Sequence, residues 1–328
     1  MSTERLSSLM DRELTLEFAR VTESAAIACG RWWGRGDKNA ADGAAVGAMR
    51  SMFDTVNIDG TVVIGEGEMD EAPMLYIGEK VGRGNNVQVD VAVDPLEGTN
   101  LVAKGLTGAI SVLAVAPRHC LLHAPDMYME KIAAGPAAVG KISLDAPVAE
   151  NVRAVAKSLN KSVEDVTVVV LDRERHEHII EELRRIGARI KLITDGDVSP
   201  AVATCIPGSG VDMMIGIGGA PEGVLAAAAL RCTGGEFQGR LWPVNEQQKE
   251  RAHKLGVTDL KKILTLDDLV KGEDVIFAAT GVTDGDFLKG VRYYGNHVTT
   301  HTVVMRGVSG TIRFLEARHR IDKKSQYV

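Results

Sequence analysis

The sequence predicts an α/β protein built on layered sheets. From about residue 150 onward, short β-branched runs alternate with helical patterns, at lengths typical of strands and helices that follow one another in an α/β fold. In the first half, valines stand at every second position from 87 to 93, which is the period of a β-strand. The 35 glycines indicate many tight turns between these elements. Together these observations indicate an α/β architecture.

Length and composition bound the class of protein. The 328 residues allow a large core and suggest two tightly packed halves, which we expect to be residues 1–165 and 166–328 with the site at their junction. A hydrophobic content of 45% and a charged content of 25% are typical of soluble globular proteins. The net charge of −6 argues against nucleic acid or an anionic membrane as a partner. An anionic substrate would therefore need local cations, either side chains or metals.

The N-terminus and the cysteines predict a cytoplasmic protein. The first residues lack the pattern of a signal peptide, and no apolar run approaches membrane-spanning length. The four cysteines, at positions 29, 120, 205 and 232, have no paired spacing. We therefore expect buried thiols in a reducing compartment and neither a disulfide nor a zinc framework.

Periodicity and turn residues place the elements in order along the chain. Helical spacing of apolar residues predicts helices at about residues 12–33, 45–56, 151–159, 177–186, 198–205, 224–231 and 245–255. Apolar or alternating runs predict strands at residues 61–64, 87–93, 109–116, 128–133, 166–170, 189–193, 211–217, 275–278, 291–294, 298–305 and 311–317.

Acidic residues follow two of the predicted strands in the first half. The strand 87–93 runs into Asp94, and Pro95 and Gly98 then permit a turn on which Glu97 and Thr99 converge with Asp94. Two carboxylates and a hydroxyl suit Mg²⁺ or Mn²⁺, although a plain Pro-Gly turn would also explain the pattern. Glu66 likewise follows the strand 61–64 within an acidic run that includes Glu68, Asp70, Glu71 and Glu79. Two strands that end in carboxylates are stronger evidence for a site than either strand alone.

For two residues of the first half, the sequence allows two interpretations. Asp42 lies near the start of the second helix, where it is either a helix cap or a ligand. Tyr128 is either a core aromatic or a hydroxyl that faces a ligand.

The strand ends of the second half carry further polar residues at 172–175, 195–197 and 216–222, where ligands bind in α/β sheets. The glycines at 216–219 do not form a dinucleotide fingerprint, because Pro221 stands where its third glycine belongs. Pro221 suits the first turn of a helix instead, and it places Glu222 near that helix N-terminus. His176 and His178 lack zinc-ligand spacing and are expected on the surface.

Several motifs together resemble the class II fructose-1,6-bisphosphatases of bacteria, within the lithium-sensitive, metal-dependent sugar-phosphatase superfamily. The motifs are G-R-G-D-K-N at 34–39, G-E-G-E at 65–68, D-P-L-E-G-T at 94–99, D-G-D at 195–197 and G-G-A-P-E-G at 218–223. The resemblance extends from about Glu13 to about Arg320, and it implies a layered α-β-α-β-α sandwich of the fructose bisphosphatase and inositol monophosphatase type.

The resemblance also implies the site. The implied metal ligands, for Mg²⁺ or Mn²⁺, are Asp42, Glu66, Asp94, Glu97 and Glu222. The implied catalytic residues are Thr99, Asp94 and Glu66, with Thr99 assisting a metal-activated water. The implied substrate-binding residues are Lys38, Glu97, Gly98, Thr99, Tyr128, Arg173, Arg175, Asp195, Asp197 and Gly219.

The implied activity is removal of the 1-phosphate of fructose 1,6-bisphosphate, which gives fructose 6-phosphate and inorganic phosphate, a step of gluconeogenesis. The substrate would be a small sugar bisphosphate, and we expect a homo-oligomer, either a dimer or a tetramer. The rival interpretations are a sedoheptulose-1,7-bisphosphatase, a dual-specificity sugar bisphosphatase, and a non-catalytic sugar-phosphate-binding regulator. The hydroxyl of Thr99 counts against the last, because binding alone would not need it.

Overall fold

The computed structural model describes residues 13–67, 73–84, 87–254, 257 and 259–323. The helices are α1 Leu14–Gly30, α2 Lys38–Phe53, α3 Thr99–Lys104, α4 Val148–Leu159, α5 Glu177–Ile186, α6 Val198–Ala203, α7 Ala220–Thr233, α8 Glu246–Lys254 and α9 Leu266–Leu269. The strands are β1 Asp59–Ile64, β2 Lys80–Val81, β3 Gln88–Glu97, β4 Ile110–Pro117, β5 Tyr128–Ala134, β6 Thr167–Leu171, β7 Arg189–Ile193, β8 Met213–Gly219, β9 Glu236–Trp242, β10 Ile276–Gly281, β11 Arg292–Tyr294, β12 His297–Arg306 and β13 Thr311–Arg320.

The strands form two mixed sheets. The first sheet has eight strands, with β2, β1, β3, β4, β10 and β12 as successive neighbours. The strand β13 pairs with the full length of β12, so β11 and β10 share the other edge of β12. The second sheet has the order β7-β6-β8-β5-β9. The chain builds the first sheet from β1–β4, crosses to the second for β5–β9, and returns to the first for β10–β13.

Helices form three layers. One layer lies between the two sheets, and one covers the outer face of each sheet. The helices α1 and α2 pack against one face of the first sheet, where Phe18 and Met49 meet Val91 and Val93 of β3. The opposite face of β3 presents Ala92 to the middle layer. The alternating valines of the sequence therefore mark the face that is covered by α1 and α2.

The middle layer lies between the two sheets and consists mainly of α6 and α7. The helix α7 is buried along nearly its whole length and contacts both Ala92 of the first sheet and Phe237 of the second. A helix that is apolar on every side is expected between two sheets, and its small alanines let both sheets approach closely. The helices α4 and α5 cover the outer face of the second sheet, with Val152 and Leu183 against Val168. The predicted layered α-β-α-β-α architecture is thus confirmed.

Most predicted elements are present with shifts of a few residues at their ends, and residues 177–186 and 189–193 match their predicted bounds. The predicted helix at 245–255 corresponds to α8, and its last residue, Leu255, lies outside the described residues. The short elements β2, α3 and α9 and the longer strand β9 were not predicted. Among the described residues, no helix is long and apolar enough to cross a membrane. The division into halves at residue 165 stays a prediction.

Candidate metal and substrate site

A cavity of about 350 Å³ lies where the first sheet, the middle layer and the second sheet meet. Seven carboxylates of the described residues line it, namely Asp42, Glu66, Asp94, Glu97, Asp126, Asp195 and Glu222. Gly98, Thr99 and Asn100 also line it. The cavity therefore gathers all five predicted metal ligands and the predicted catalytic threonine.

A bulge in β3 brings Asp94 and Glu97 to the same side. Asp94 pairs with Val112 of β4 and Glu97 pairs with Ile110, so three steps along β3 oppose two steps along β4. In a regular strand, residues three apart point to opposite faces, but one extra residue reverses this relation. Pro95 lies within the bulge, and the Leu96 amide donates a hydrogen bond to Asp94 Oδ1 at 3.0 Å. The predicted strand end at Asp94 is wrong, because β3 continues through the bulge to Glu97.

Glu66 reaches the same place from the neighbouring strand. The strands β1 and β3 are parallel, with Ile64 opposite Ala92. Glu66 and Asp94 each follow these partners by two residues, so they project beyond the sheet at the same level. Carboxyl ends of parallel strands are where ligands gather in α/β sheets.

Asp42 comes from α2 and faces the cavity from outside the first sheet. The interpretation of Asp42 as a helix cap is wrong, because the N-cap is Asp37, whose Oδ1 accepts a hydrogen bond from the Ala40 amide at 2.9 Å. Asp42 is instead half-buried one turn further along the helix.

Glu222 lies in the first turn of α7, with Pro221 before it as the sequence predicts. A Cβ atom on Gly219 would lie 2.6 Å from the carboxyl carbon of Glu222. Only glycine at 219 therefore leaves room for the carboxylate of Glu222 in this position. Gly219 thus shapes the carboxylate cluster, although it does not line the cavity.

Burial and mutual repulsion make the carboxylates of this cluster costly to ionise. Carboxylate oxygens of Asp94, Glu97 and Glu222 lie within 4.8 Å of one another. Burial, with the charge of Glu97, raises the pKa of Asp94 well above its usual range, and burial with the charge of Glu222 raises the pKa of Glu97. Burial, together with Asp42 and Glu222, raises the pKa of Glu66 to about 7. Burial also raises the pKa values of Asp42 and Glu222.

The donor set fits a hard divalent cation. The Oε2 atom of Glu222 is buried and has no hydrogen-bond partner among the described residues. A buried carboxylate oxygen without a partner is costly, and a cation would satisfy it. Because these donors are all carboxylate oxygens, they favour Mg²⁺, Mn²⁺ or Ca²⁺ over zinc.

Thr99 is the first residue of α3 and is half-buried at the wall of the cavity. The preceding Gly98 has φ +88°, a left-handed conformation that favours glycine. This conformation turns the chain sharply from the bulge of β3 into α3. The predicted threonine thus lies at the cavity wall, two residues after Glu97.

The D-G-D segment contacts the site from the second sheet. Asp195 lines the cavity and accepts a hydrogen bond from the Asn100 side chain at 3.0 Å. Asp197 is buried and lies outside the cavity, paired with Lys131 at 2.7 Å. Its role as a substrate contact stays a prediction.

The predicted cationic residues lie around the cavity and not among the residues that line it. Arg175 donates from Nε and a terminal nitrogen to the carbonyl of Ile217, and its guanidinium lies 4.8 Å from the ring centre of Tyr128. Tyr128 is 41% exposed, so it is not a core aromatic. Arg173 donates to the carbonyl of Thr194 at 2.6 Å, next to Asp195. Lys38 is exposed at the start of α2.

The expectation of a surface His176 is wrong. Its ring is fully buried, with Nδ1 2.7 Å from the carbonyl of Leu171 and Nε2 accepting from the Ile217 amide at 2.7 Å. Burial lowers the pKa of this imidazole, which agrees with a neutral ring that contacts the backbone of both Leu171 and Ile217. His176 therefore holds the end of β6 to β8, and Ile217 is also the residue that Arg175 contacts.

Four residues near the site were not singled out from the sequence. Asn100, Asp126 and Arg251 line the cavity, and Lys131 pairs with Asp197. Arg251 of α8 is the one cationic side chain among the described residues that line the cavity. Asn100 adjoins the D-P-L-E-G-T motif, whereas the other three carried no local signal. Glu68, Asp70 and Glu71 of the predicted acidic run lie outside the described residues.

The fold and the site define a layered α/β protein with a carboxylate site suited to a divalent cation. The family model described as "Bacterial fructose-1,6-bisphosphatase, glpX-encoded" matches residues 12–319. The chain is 51% identical to fructose-1,6-bisphosphatase 1 class 2 of Escherichia coli (strain K12), over 96% of this chain and 97% of the relative. It has the same identity and coverage with fructose-1,6-bisphosphatase class 2 of Shigella flexneri. The chain therefore belongs to the bacterial class 2 fructose-1,6-bisphosphatase family, and the predicted resemblance is confirmed.

Proposed function

We propose that this chain is a divalent-cation-dependent phosphatase that hydrolyses fructose 1,6-bisphosphate to fructose 6-phosphate and inorganic phosphate, a step of gluconeogenesis. The observation that carries the proposal is the convergence of Asp94, Glu97 and Glu222 beside Thr99 in one cavity. Membership of a family whose curated relatives carry the name fructose-1,6-bisphosphatase supports the substrate.

The cation would be Mg²⁺ or Mn²⁺, held by Asp42, Glu66, Asp94, Glu97 and Glu222. When bound, such a cation neutralises the phosphate, lowers the pKa of the attacking water and stabilises the departing oxygen. The five carboxylates come from α2, β3, α7 and the loop after β1, so the folded chain assembles them before any ligand arrives.

Thr99 would orient the attacking water. Its hydroxyl can accept a hydrogen bond from that water while it donates its own proton to a neighbouring carboxylate, and Glu97 is two residues away. A positioned water attacks in line with the leaving group, which is the main contribution that a protein makes to phosphoryl transfer. No covalent phosphoenzyme is needed.

The second phosphate of the substrate needs a cationic pocket of its own, because one phosphate occupies the acidic cavity. Arg173 and Arg175 follow the carboxyl end of β6, and Arg173 contacts the residue next to Asp195. Tyr128 begins β5, opposite Gly219 at the carboxyl end of β8, and its ring lies against the Arg175 guanidinium. We assign this rim to the distal phosphate, with Arg175 as its principal cation. Lys38, one turn before Asp42, would add charge from the opposite side.

A phosphate-release assay across a panel of sugar phosphates tests the substrate. With Mn²⁺ present, kcat/KM for fructose 1,6-bisphosphate should exceed the values for fructose 1-phosphate and inositol 1-phosphate. A higher kcat/KM for sedoheptulose 1,7-bisphosphate would assign the chain to that substrate instead. Binding of sugar bisphosphates without any phosphate release would indicate a non-catalytic regulator.

Two further expectations accompany the proposal. The substrate is a phosphorylated metabolite, which cells retain inside, so we expect the enzyme to act in the cytoplasm. We also expect a homo-oligomer, either a dimer or a tetramer, which size-exclusion chromatography with light scattering would measure.

A further inference from the structure

A buried ion pair lies behind the metal cavity. The Lys131 side chain, on β5 of the second sheet, is 1% exposed, and Asp197 is 7% exposed. The Lys131 ammonium lies 2.8 Å from Asp197 Oδ1 and 2.7 Å from Oδ2, so both carboxylate oxygens are engaged. A buried lysine is rare unless it is paired, and this pair lies outside the residues that line the cavity.

The surrounding backbone leaves room for this pair. A Cβ atom on Gly218 would lie 2.9 Å from the carboxyl carbon of Asp197 and 3.0 Å from the Lys131 ammonium. Asp197 also precedes α6 directly, yet its side chain caps no amide of that helix. Its carboxylate therefore points to Lys131 and not to the helix that it begins.

The segment that carries Asp197 contacts the metal-site turn at two points. The Val198 amide donates a hydrogen bond to Glu97 Oε1 at 3.1 Å. Asp195 accepts from the Asn100 side chain at 3.0 Å, next to Thr99. Because the Val198 amide belongs to the peptide bond that follows Asp197, holding the Asp197 carboxylate restricts the direction of that amide.

We propose that Lys131 is a positioning residue of the metal site, which holds Asp197 so that the Val198 amide orients the Glu97 carboxylate. The ion pair thereby joins the second sheet to the turn of the first sheet that carries Glu97 and Thr99. This inference rests on the proposed function, since it takes Glu97 as a metal ligand. In this arrangement, Lys131 acts on the site through the Asp197 carboxylate.

Mn²⁺ binding measured by isothermal titration calorimetry tests the proposal. The double variant Lys131→Met/Asp197→Asn removes the ion pair without leaving an unpaired buried charge, and it keeps the net charge. Loss of an oriented hydrogen bond to a carboxylate corresponds to a roughly 10- to 150-fold loss of affinity. We therefore expect the Kd for Mn²⁺ to rise at least about tenfold.

The matched control is the same change in an ion pair at the edge of the second sheet, between Lys161, which follows α4, and Asp212, which directly precedes β8. Lys161 contacts both oxygens of Asp212, at 2.6 and 2.8 Å, and neither residue lines the metal cavity. The double variant Lys161→Met/Asp212→Asn should lower Tm in EDTA yet leave the Mn²⁺ affinity unchanged. A merely structural role for Lys131 predicts the same behaviour for both double variants.

Hydrogen exchange of the metal-free protein is a second readout that needs no bound cation. The variant Asp197→Asn keeps the size of the side chain but removes its charge, so exchange at the Val198 amide should accelerate. Unchanged exchange in this variant, or an unchanged Mn²⁺ Kd in the folded Lys131→Met/Asp197→Asn protein, would overturn the proposal. Failure of the wild-type chain to bind Mn²⁺ would instead overturn the proposed function, and this inference with it.

Discussion

The substitution Gly219→Ala should disable the metal site without disturbing the fold. Gly219 has φ −69° and ψ 143°, a conformation that alanine adopts without strain. Its added Cβ would lie 2.6 Å from the carboxyl carbon of Glu222, about 0.8 Å inside the 3.4 Å at which ordinary contact begins. Since the carboxylate is the end of a flexible side chain, we expect it to move away while the backbone stays in place.

The magnitude follows from this displacement. A shift of about 1 Å in a positioned catalytic group lowers rates by about 10²-fold. We therefore expect kcat/KM for fructose 1,6-bisphosphate to fall roughly 100-fold, equivalent to about 2.7 kcal/mol of transition-state stabilisation. The Kd for Mn²⁺ should rise in parallel. A phosphate-release assay measures the first quantity, and calorimetric titration measures the second.

The matched control is Gly47→Ala, in the middle of α2. A Cβ there meets nothing within 4 Å, so alanine should stabilise the helix slightly and leave activity intact. Thermal denaturation in EDTA should give Gly219→Ala a Tm close to the wild-type value. Wild-type activity and Mn²⁺ affinity in Gly219→Ala would refute the role of Glu222 as a ligand.

Three further predictions concern Thr99, Arg175 and Glu66. Thr99→Ala should lower kcat by roughly 10²–10⁴ with little change in substrate binding, whereas Thr99→Ser should retain most activity; normal kcat in the alanine variant would make Thr99 a turn residue only. Arg175→Ala should lower kcat/KM for fructose 1,6-bisphosphate by roughly 10- to 150-fold, mostly through KM, and should change hydrolysis of fructose 1-phosphate little. Equal losses on both substrates would place Arg175 at the reacting centre or in the fold. The raised pKa of Glu66, about 7 against a usual 4.5, means that the native metal-free chain binds more protons than the unfolded chain between those values. Its free energy of unfolding should therefore fall as the pH rises through that window, by about 3 kcal/mol for this group alone, and Mn²⁺ should restore it. Thermal denaturation in EDTA at about pH 5 and about pH 8 measures this, and a higher Tm at the upper pH without Mn²⁺ would contradict it.

The predicted part of the site consists of residues that follow a recognisable local signal. Glu66 follows an apolar strand, and Glu222 follows the proline that opens α7. Such positions follow from short-range patterns, because strand ends and helix starts are marked by local residue types. The bulge at Asp94 was missed, since its geometry depends on the pairing of β3 with β4.

The missed part consists of contacts between segments that are distant in the sequence. Lys131 lies inside an apolar strand, and only its pairing with Asp197, 66 residues later, explains its charge. The burial of His176 depends on Ile217 in the same way. The strand β9, in contrast, alternates buried Phe237 and Leu241 with polar neighbours, so its period was present in the sequence and was overlooked.

We expect the activity to depend on a divalent cation held by the carboxylate cluster. Phosphate release from fructose 1,6-bisphosphate after exhaustive dialysis against EDTA, followed by titration with Mn²⁺ or Mg²⁺, measures this dependence. The cluster supplies only carboxylate donors, and Glu222 Oε2 has no partner among the described residues, so chelation should abolish the activity and the cation should restore it. Full activity in the metal-free protein would show that the carboxylate cluster does not act through a bound cation.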